Sequence, residues 1–322
     1  RWRMEPPQRL LAPERLLMMA IELDHAPAPV WAAIDELAAE RLRTLIEVLR
    51  LAPSNSWVAN DAWHRAIDAD RLRELVDADD PDLETLERVL AGIGPPDAGV
   101  LLDLLTESDS LATRKRLFAR LTELAPHIGD EIVRRLRDPR WYGRRNMLAL
   151  LGELDAWPRR WSPAELSTDP HPAVRREALK LMLRIPEHRA RAVCGLLQDT
   201  ERRALSLGLA AATEECPPEA VDLLAAIGRD DTTSDELRVM AVRALGQSAG
   251  EPALAPLVEL TRRGSGLAPN RLAEKSPVLL AALQALSAFP DLPGSARKLL
   301  ARAAASSDPD IRATVRGPED PA

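Results

Sequence analysis

The chain has 322 residues, 46% of them hydrophobic, 3% aromatic and 29% charged, with a formal net charge of −7. That apolar content is ample for burial, and the acidic balance argues against a general coat for nucleic acid. Leu10 to Leu23 is interrupted by Pro13, Glu14, Arg15 and Glu22, and no longer apolar run occurs, so a soluble cytoplasmic protein with no membrane partner is expected.

In chain order, Val30 to Leu51 predicts a helix, with Asp35, Glu36, Glu40, Arg41 and Arg43 on its wet side. The stretch Pro53 to Ser56 breaks it, and Asp61 is placed as the cap of a short helix reaching Ile67. Trp2, Trp31, Trp57 and Trp63 concentrate here, where an end repeat needs large side chains to close an open core. Residues 1–80 therefore read as a divergent helical N-terminal cap, with a separate small helical domain as the alternative. Asp80-Pro81 opens the first regular unit of an array expected over residues 81–315.

Within that array one pattern recurs: a turn containing Asp, then an apolar residue, Arg, two variable positions, two apolar residues and a later apolar residue. Asp138-Pro139 leads into Gly143-Arg144, Met147-Leu148 and Leu151, and Asp169-Pro170 leads into Val174-Arg175, Ala178-Leu179 and Met182. Looser copies carry Arg114, Arg203 and Arg238, and a weak last one carries Arg312. The arginines from 114 to 238 are separated by 30, 31, 28 and 35 residues, the period of a stacked helical repeat. The apolar spacing marks one face of a helix, and a second apolar stretch, such as Gly129 to Leu136 or Ala190 to Leu197, supplies the other helix of each pair. Neither helix buries its stripe alone, so neighbouring repeats must stack. No sustained alternating run predicts strands.

The run Asp169-Pro-x-x-x-Val-Arg-x-x-Ala-Leu179 resembles the HEAT repeat in its short bacterial form, and Asp138 to Leu148 is similar to it. The resemblance implies an all-α fold: a right-handed α-solenoid of stacked antiparallel helix pairs, armadillo-like in architecture. It also implies that the arginine-bearing helix lines the concave side, with Asp138, Arg144, Asp169 and Arg175 as structural repeat residues bonding along the stack.

Two segments depart from the rhythm. Arg262 to Pro277, rich in Gly and Pro, lengthens its repeat and is either a functional loop or a tolerated insertion. Residues 316–322 have nothing to pack and are expected to form a disordered tail. Cys194 and Cys216 show no metal-ligand spacing and read as small buried or semi-buried side chains in a reducing compartment.

Charge is segregated. Residues 134 to 203 hold 16 basic and nine acidic side chains, a balance of +7 that leaves −14 on the rest. Lys115, Arg145 and Arg176 occupy the same slot after the arginine of three successive copies, and Lys180 and Arg184 extend it at four-residue steps. These five are expected to form a basic column on the concave face. Trp141 and Tyr142 beside it either anchor a peptide or stack on a base, or else fill the gap between repeats.

Catalytic signatures are missing. His25, His64, His127, His171 and His188 lie on separate segments, no metalloprotease, nucleophile-elbow or phosphate-loop motif occurs, and no metal or cofactor is expected. The sequence thus points to a non-catalytic scaffold binding an acidic or amphipathic protein segment on its concave face. The alternatives are a HEAT-like nucleic-acid-binding protein with a cleft like that of the alkylpurine DNA glycosylases, and an accessory factor acting on another protein as the phycobilisome lyases do.

Overall fold

The computed structural model describes residues 11–67, 69–77, 82–248, 251–262 and 272–316. The boundary expected at residue 80, the tail beyond 316, Trp2 and most of the Arg262 to Pro277 loop lie outside these residues. Eighteen α-helices and no β-strand occur among the described residues, with one isolated bridge between Arg262 and Leu272. No single helix there is long and apolar enough to cross a membrane. The chain divides into two units, one ending at Trp161 and one beginning at Ser162.

The N-terminal unit contains α1 (Pro13–Leu23), α2 (Ala28–Glu40), α3 (Leu42–Arg50), α4 (Trp57–Ala66), α5 (Ala69–Asp77), α6 (Leu83–Gly92), α7 (Ala98–Glu107), α8 (Leu111–Arg135) and α9 (Trp141–Gly152). Consecutive helices pack on one another for most of its length, and α7, α8 and α9 are in mutual contact. The helix expected from Val30 to Leu51 is two: Arg41 leaves the helical region at φ −142° and ψ 50°, and its guanidinium bonds the Glu14 carboxylate of α1. The break lets α2 and α3 bury Ile34 and Leu37, and Leu45 and Ile46, as two separate apolar faces. Asp61 is not a cap. Ser56 caps α4 through a bond from Ala59 N to its Oγ, because the turn closed by Ser56 N on Pro53 O leaves Ser56 extended, at φ −72° and ψ 118°, just before the first free amides of that helix.

Asp24 ties α1 to α4. It ends α1 in the left-handed conformation at φ 47°, and its carboxylate accepts from Ser56 Oγ at 2.9 Å while its carbonyl accepts from Trp57 Nε1 at 2.6 Å. Further on, Pro126 removes an amide inside α8 and Ile128 leaves helical geometry at φ −118° and ψ 15°, so α8 is two helical segments meeting at a kink, in keeping with the two helices expected there.

The C-terminal unit contains α10 (Pro172–Met182), α11 (Pro186–Leu197), α12 (Arg202–Glu214), α13 (Val221–Arg229), α14 (Asp235–Gln247), α15 (Leu254–Leu260), α16 (Pro277–Ser287), α17 (Gly294–Ala304) and α18 (Pro309–Arg316). Here α12, α14, α16 and α18 pack in succession, and so do α11, α13 and α15, which is compatible with a helical repeat. Their shared core is mostly Leu, Val and Ala, including Leu209, Leu224, Val242, Leu257 and Leu299. Small residues set the closest approaches: a Cβ on Gly208 of α12 would meet Leu196 Cβ at 2.8 Å and the Leu197 amide nitrogen at 3.1 Å.

The repeat has a local hydrogen-bond signature. Arg114, Arg144, Arg175 and Arg312 each stand four residues after a helix N-cap, and the Nη1 of each donates to the two carbonyls just before that cap: Ser108 and Asp109, Asp138 and Pro139, Asp169 and Pro170, Ser306 and Ser307. A polar side chain two residues before the cap accepts the cap amide at Asp138, Asp169, Asp199 and Ser306. The weak copy at Arg312 therefore keeps the full geometry. The copy at Arg203 does not. Ala204, Gly208, Leu209, Ala211 and Ala212 are the buried set of α12, which puts Leu205 in the arginine's place and leaves Arg203 exposed.

Candidate functional site

The start of α9 is built around Asp138. Its Oδ1 accepts the Arg140 amide at 2.8 Å, and its carboxylate takes the Arg140 guanidinium through Nε at 3.0 Å and Nη2 at 2.7 Å. The Arg140 hydrogen bond, outweighing partial burial, holds the Asp138 carboxyl below its ordinary range and raises the guanidinium correspondingly. Gly143 allows the close fit, since a Cβ there would lie 3.0 Å from the Asp138 carboxyl carbon. With Arg144 bonded to the Asp138 and Pro139 carbonyls at 2.9 Å, this turn is cross-linked on both sides.

Two rings stand on that braced turn. Trp141 is 41% exposed and Tyr142 39%, their centroids 5.8 Å apart at 86°, an edge-to-face pair. Arg140 lies over the Tyr142 ring with Cζ 5.8 Å from its centroid. One turn along α9 from Trp141, Arg145 is exposed, and its Nη1 reaches Asn146 Oδ1 at 3.1 Å. Lys115 is exposed at the matching position of α8, the helix packed on α9. Among the described residues neither Lys115 nor Arg145 has a carboxylate within ion-pair distance.

Arg176, in the C-terminal unit, is different. Its side chain is 15% exposed and bonded to Glu201, with Glu177 at 3.5 Å. Lys180 is exposed, with Nζ 4.0 Å from Glu177, and Arg184 is exposed just beyond the end of α10. The five cations selected by alignment thus divide in chemistry: Lys115 and Arg145 present open charge, whereas Arg176 is spent inside a carboxylate cluster.

Most of the +7 excess meets the same fate. Arg135 pairs with Asp103 and Glu131, Arg134 with Glu131, Arg189 with Glu214 and Glu215, and Arg202 with Glu236. Every one of these carboxylates falls outside the 134 to 203 window, so the segregation seen along the chain is largely cancelled in space. The sequence reading missed the role of Asp199, whose position two residues before the N-cap of α12 repeats that of Asp138 and Asp169. Arg175 donates through Nε at 2.9 Å and Nη2 at 3.1 Å to this carboxylate, of which only 2% is exposed, joining one turn to the next.

Cys194 and Cys216 are both free and half-buried against the same core. Among the described residues no three His, Cys, Asp or Glu side chains gather as a metal site. No family model matches the sequence, and a search of curated proteins finds no match.

Proposed function

We propose that the chain is a HEAT-like helical-repeat scaffold, a right-handed solenoid that acts without catalysis by holding an acidic segment of another protein. The observation that carries this reading is the juxtaposition of two exposed rings, Trp141 and Tyr142, with the exposed and uncompensated cations Arg145 and Lys115 on contacting helices. Aromatic anchors with little conformational entropy to lose, flanked by open positive charge, suit a peptide that carries both carboxylates and an apolar residue. Bracing by Asp138, Arg140 and Arg144 supports the same role, because a rigid anchor forfeits less on binding.

The test is the double reversal Lys115→Glu with Arg145→Glu, alongside Trp141→Ala, in affinity capture with and without nuclease. Helicity and melting should stay close to the parent, since exposed charges contribute little to folding. Capture of an acidic protein partner should fall by about tenfold or more and weaken with salt. Partners that vanish on nuclease treatment, with binding to a random DNA or RNA probe, would establish the nucleic-acid reading instead. Full retention by both variants would remove this face from consideration.

A further inference from the structure

The N-terminal unit contains a concavity of about 350 Å³ away from the Trp141 face, bounded by the end of α3, the Ala52 to Ser54 turn, α4 and the residues after α6. Its volume is at the lower end of the range for small-molecule sites. Trp63 forms one wall and is pressed onto Gly92, where a Cβ would come 2.0 Å from the indole Cζ2. Glycine at that position is therefore what lets the ring lie against the end of α6.

The polar residues lining this space include Arg50, Ser54 and Asn60, all of them exposed and open to an incoming ligand. Among the described residues the Trp63 indole Nε1, the Arg50 guanidinium, the Asn60 amide and the Ser54 hydroxyl have no side-chain hydrogen-bond partner. Trp57 Nε1 donates to Asp24 O at 2.6 Å and Trp157 Nε1 to Leu151 O at 2.8 Å, whereas Trp63, like Trp31 and Trp161, makes no such bond among the described residues. One acid lines the space, Asp97, and its carboxylate is 3.7 Å from His64 Nδ1. An aromatic wall beside an exposed guanidinium, with an amide and a hydroxyl on the same rim, suits a flat ligand with acceptor oxygens.

We propose that this pocket binds a small planar ring carrying an anionic oxygen group, the ring against Trp63 and the anion on Arg50 with Asn60 and Ser54. The proposal is independent of the scaffold reading, since it uses no residue of the Trp141 face.

The full chain should be titrated with phenylacetate and with phenyl phosphate, followed by calorimetry and ligand-detected NMR. Benzyl alcohol serves as the uncharged control and acetate as the ringless one. At least one aromatic anion should bind saturably, with both controls at least about tenfold weaker; the tighter of the two anions identifies carboxylate or phosphate as the group recognised. Arg50→Gln, an exposed change that leaves the core intact, should weaken binding about tenfold with an unchanged melting profile. Asn60→Ala should weaken it less, and the Lys115→Glu, Arg145→Glu variant should bind as the parent does. Absence of saturable binding of both anions up to about 10 mM, or equal binding by Arg50→Gln, would overturn the assignment.

Discussion

Replacing Arg175 by Gln should destabilise the C-terminal unit more than the loss of any comparable surface arginine. The side chain makes four charge-assisted bonds, two to the Asp169 and Pro170 carbonyls at 3.1 Å and two to the Asp199 carboxylate at 2.9 and 3.1 Å. Asp199 is the reason for the size of the effect. Its carboxylate is 2% exposed, so without the guanidinium a nearly dry charge would keep only backbone amides for company, a loss of about 3–5 kcal/mol. Arg312→Gln removes two similar carbonyl bonds without orphaning a buried carboxylate and should cost about 1–2 kcal/mol. The pH dependence separates the causes. Burial pushes the Asp199 carboxyl up, but the Arg175 and Glu201 hydrogen bonds outweigh it and hold it below its ordinary value. In the parent protein this group therefore contributes stability above the unfolded carboxylate pKa of about 3.9, lost as pH falls through the lower folded value. In Arg175→Gln burial is opposed only by the Glu201 and Thr200 amides, so the folded value rises above the parent's, and the variant's penalty is full at neutral pH and shrinks as acid protonates the carboxyl. Urea denaturation followed by circular dichroism at about pH 7 and pH 4.5 should show the gap between parent and variant narrowing. A gap below about 1 kcal/mol at neutral pH, or one equal at both values, would refute this account of the buried pair.

Other perturbations probe other contacts. Leu179 is 3% exposed and packs against Gly195, so Leu179→Asp should lower stability by several kcal/mol, whereas Glu177→Ala, removing a contact beside Arg176 and Lys180, should cost about 1 kcal/mol or less; parallel thermal melts decide it. Gly208→Ala would ordinarily favour a helix by about 1 kcal/mol, yet the new Cβ meets α11 backbone at 3.1 Å, and the net effect should be a lower melting temperature. Burial pushes the Cys194 and Cys216 thiols up, with Glu219 adding to the first and Cys194 to the second. Fewer thiolates at about pH 7.5 should make both react with a disulfide reagent more slowly than free cysteine, with ordinary rates restored in urea.

The helical class, the Asp-to-Arg turns at 138 and 169 and the buried face holding Leu148, Ala178 and Leu179 were legible along the chain, because each arises from neighbours within two turns of helix. The same locality explains why Arg312, though its surroundings diverge, still closes its turn. Where local signals were weak or contradicted by packing, reading along the chain went astray. Arg41 breaks a helix without Gly or Pro, since two apolar faces had to part, and Leu205 holds the place assigned by spacing to Arg203, because burial of Gly208 and Leu209 sets the phase of α12. The candidate site shows the sharper division. That Lys115, Arg145 and Arg176 share one repeat position follows from alignment alone, yet only tertiary structure left the first two open and enclosed the third between Glu177 and Glu201. The Trp63 pocket was invisible for a related reason: Arg50, Trp63 and Gly92 come from three helices with no shared spacing. Periodicity and capping are decided by interactions between near neighbours, whereas the partner of a charge or the wall of a cavity depends on which distant segments the folded chain brings within a few ångströms.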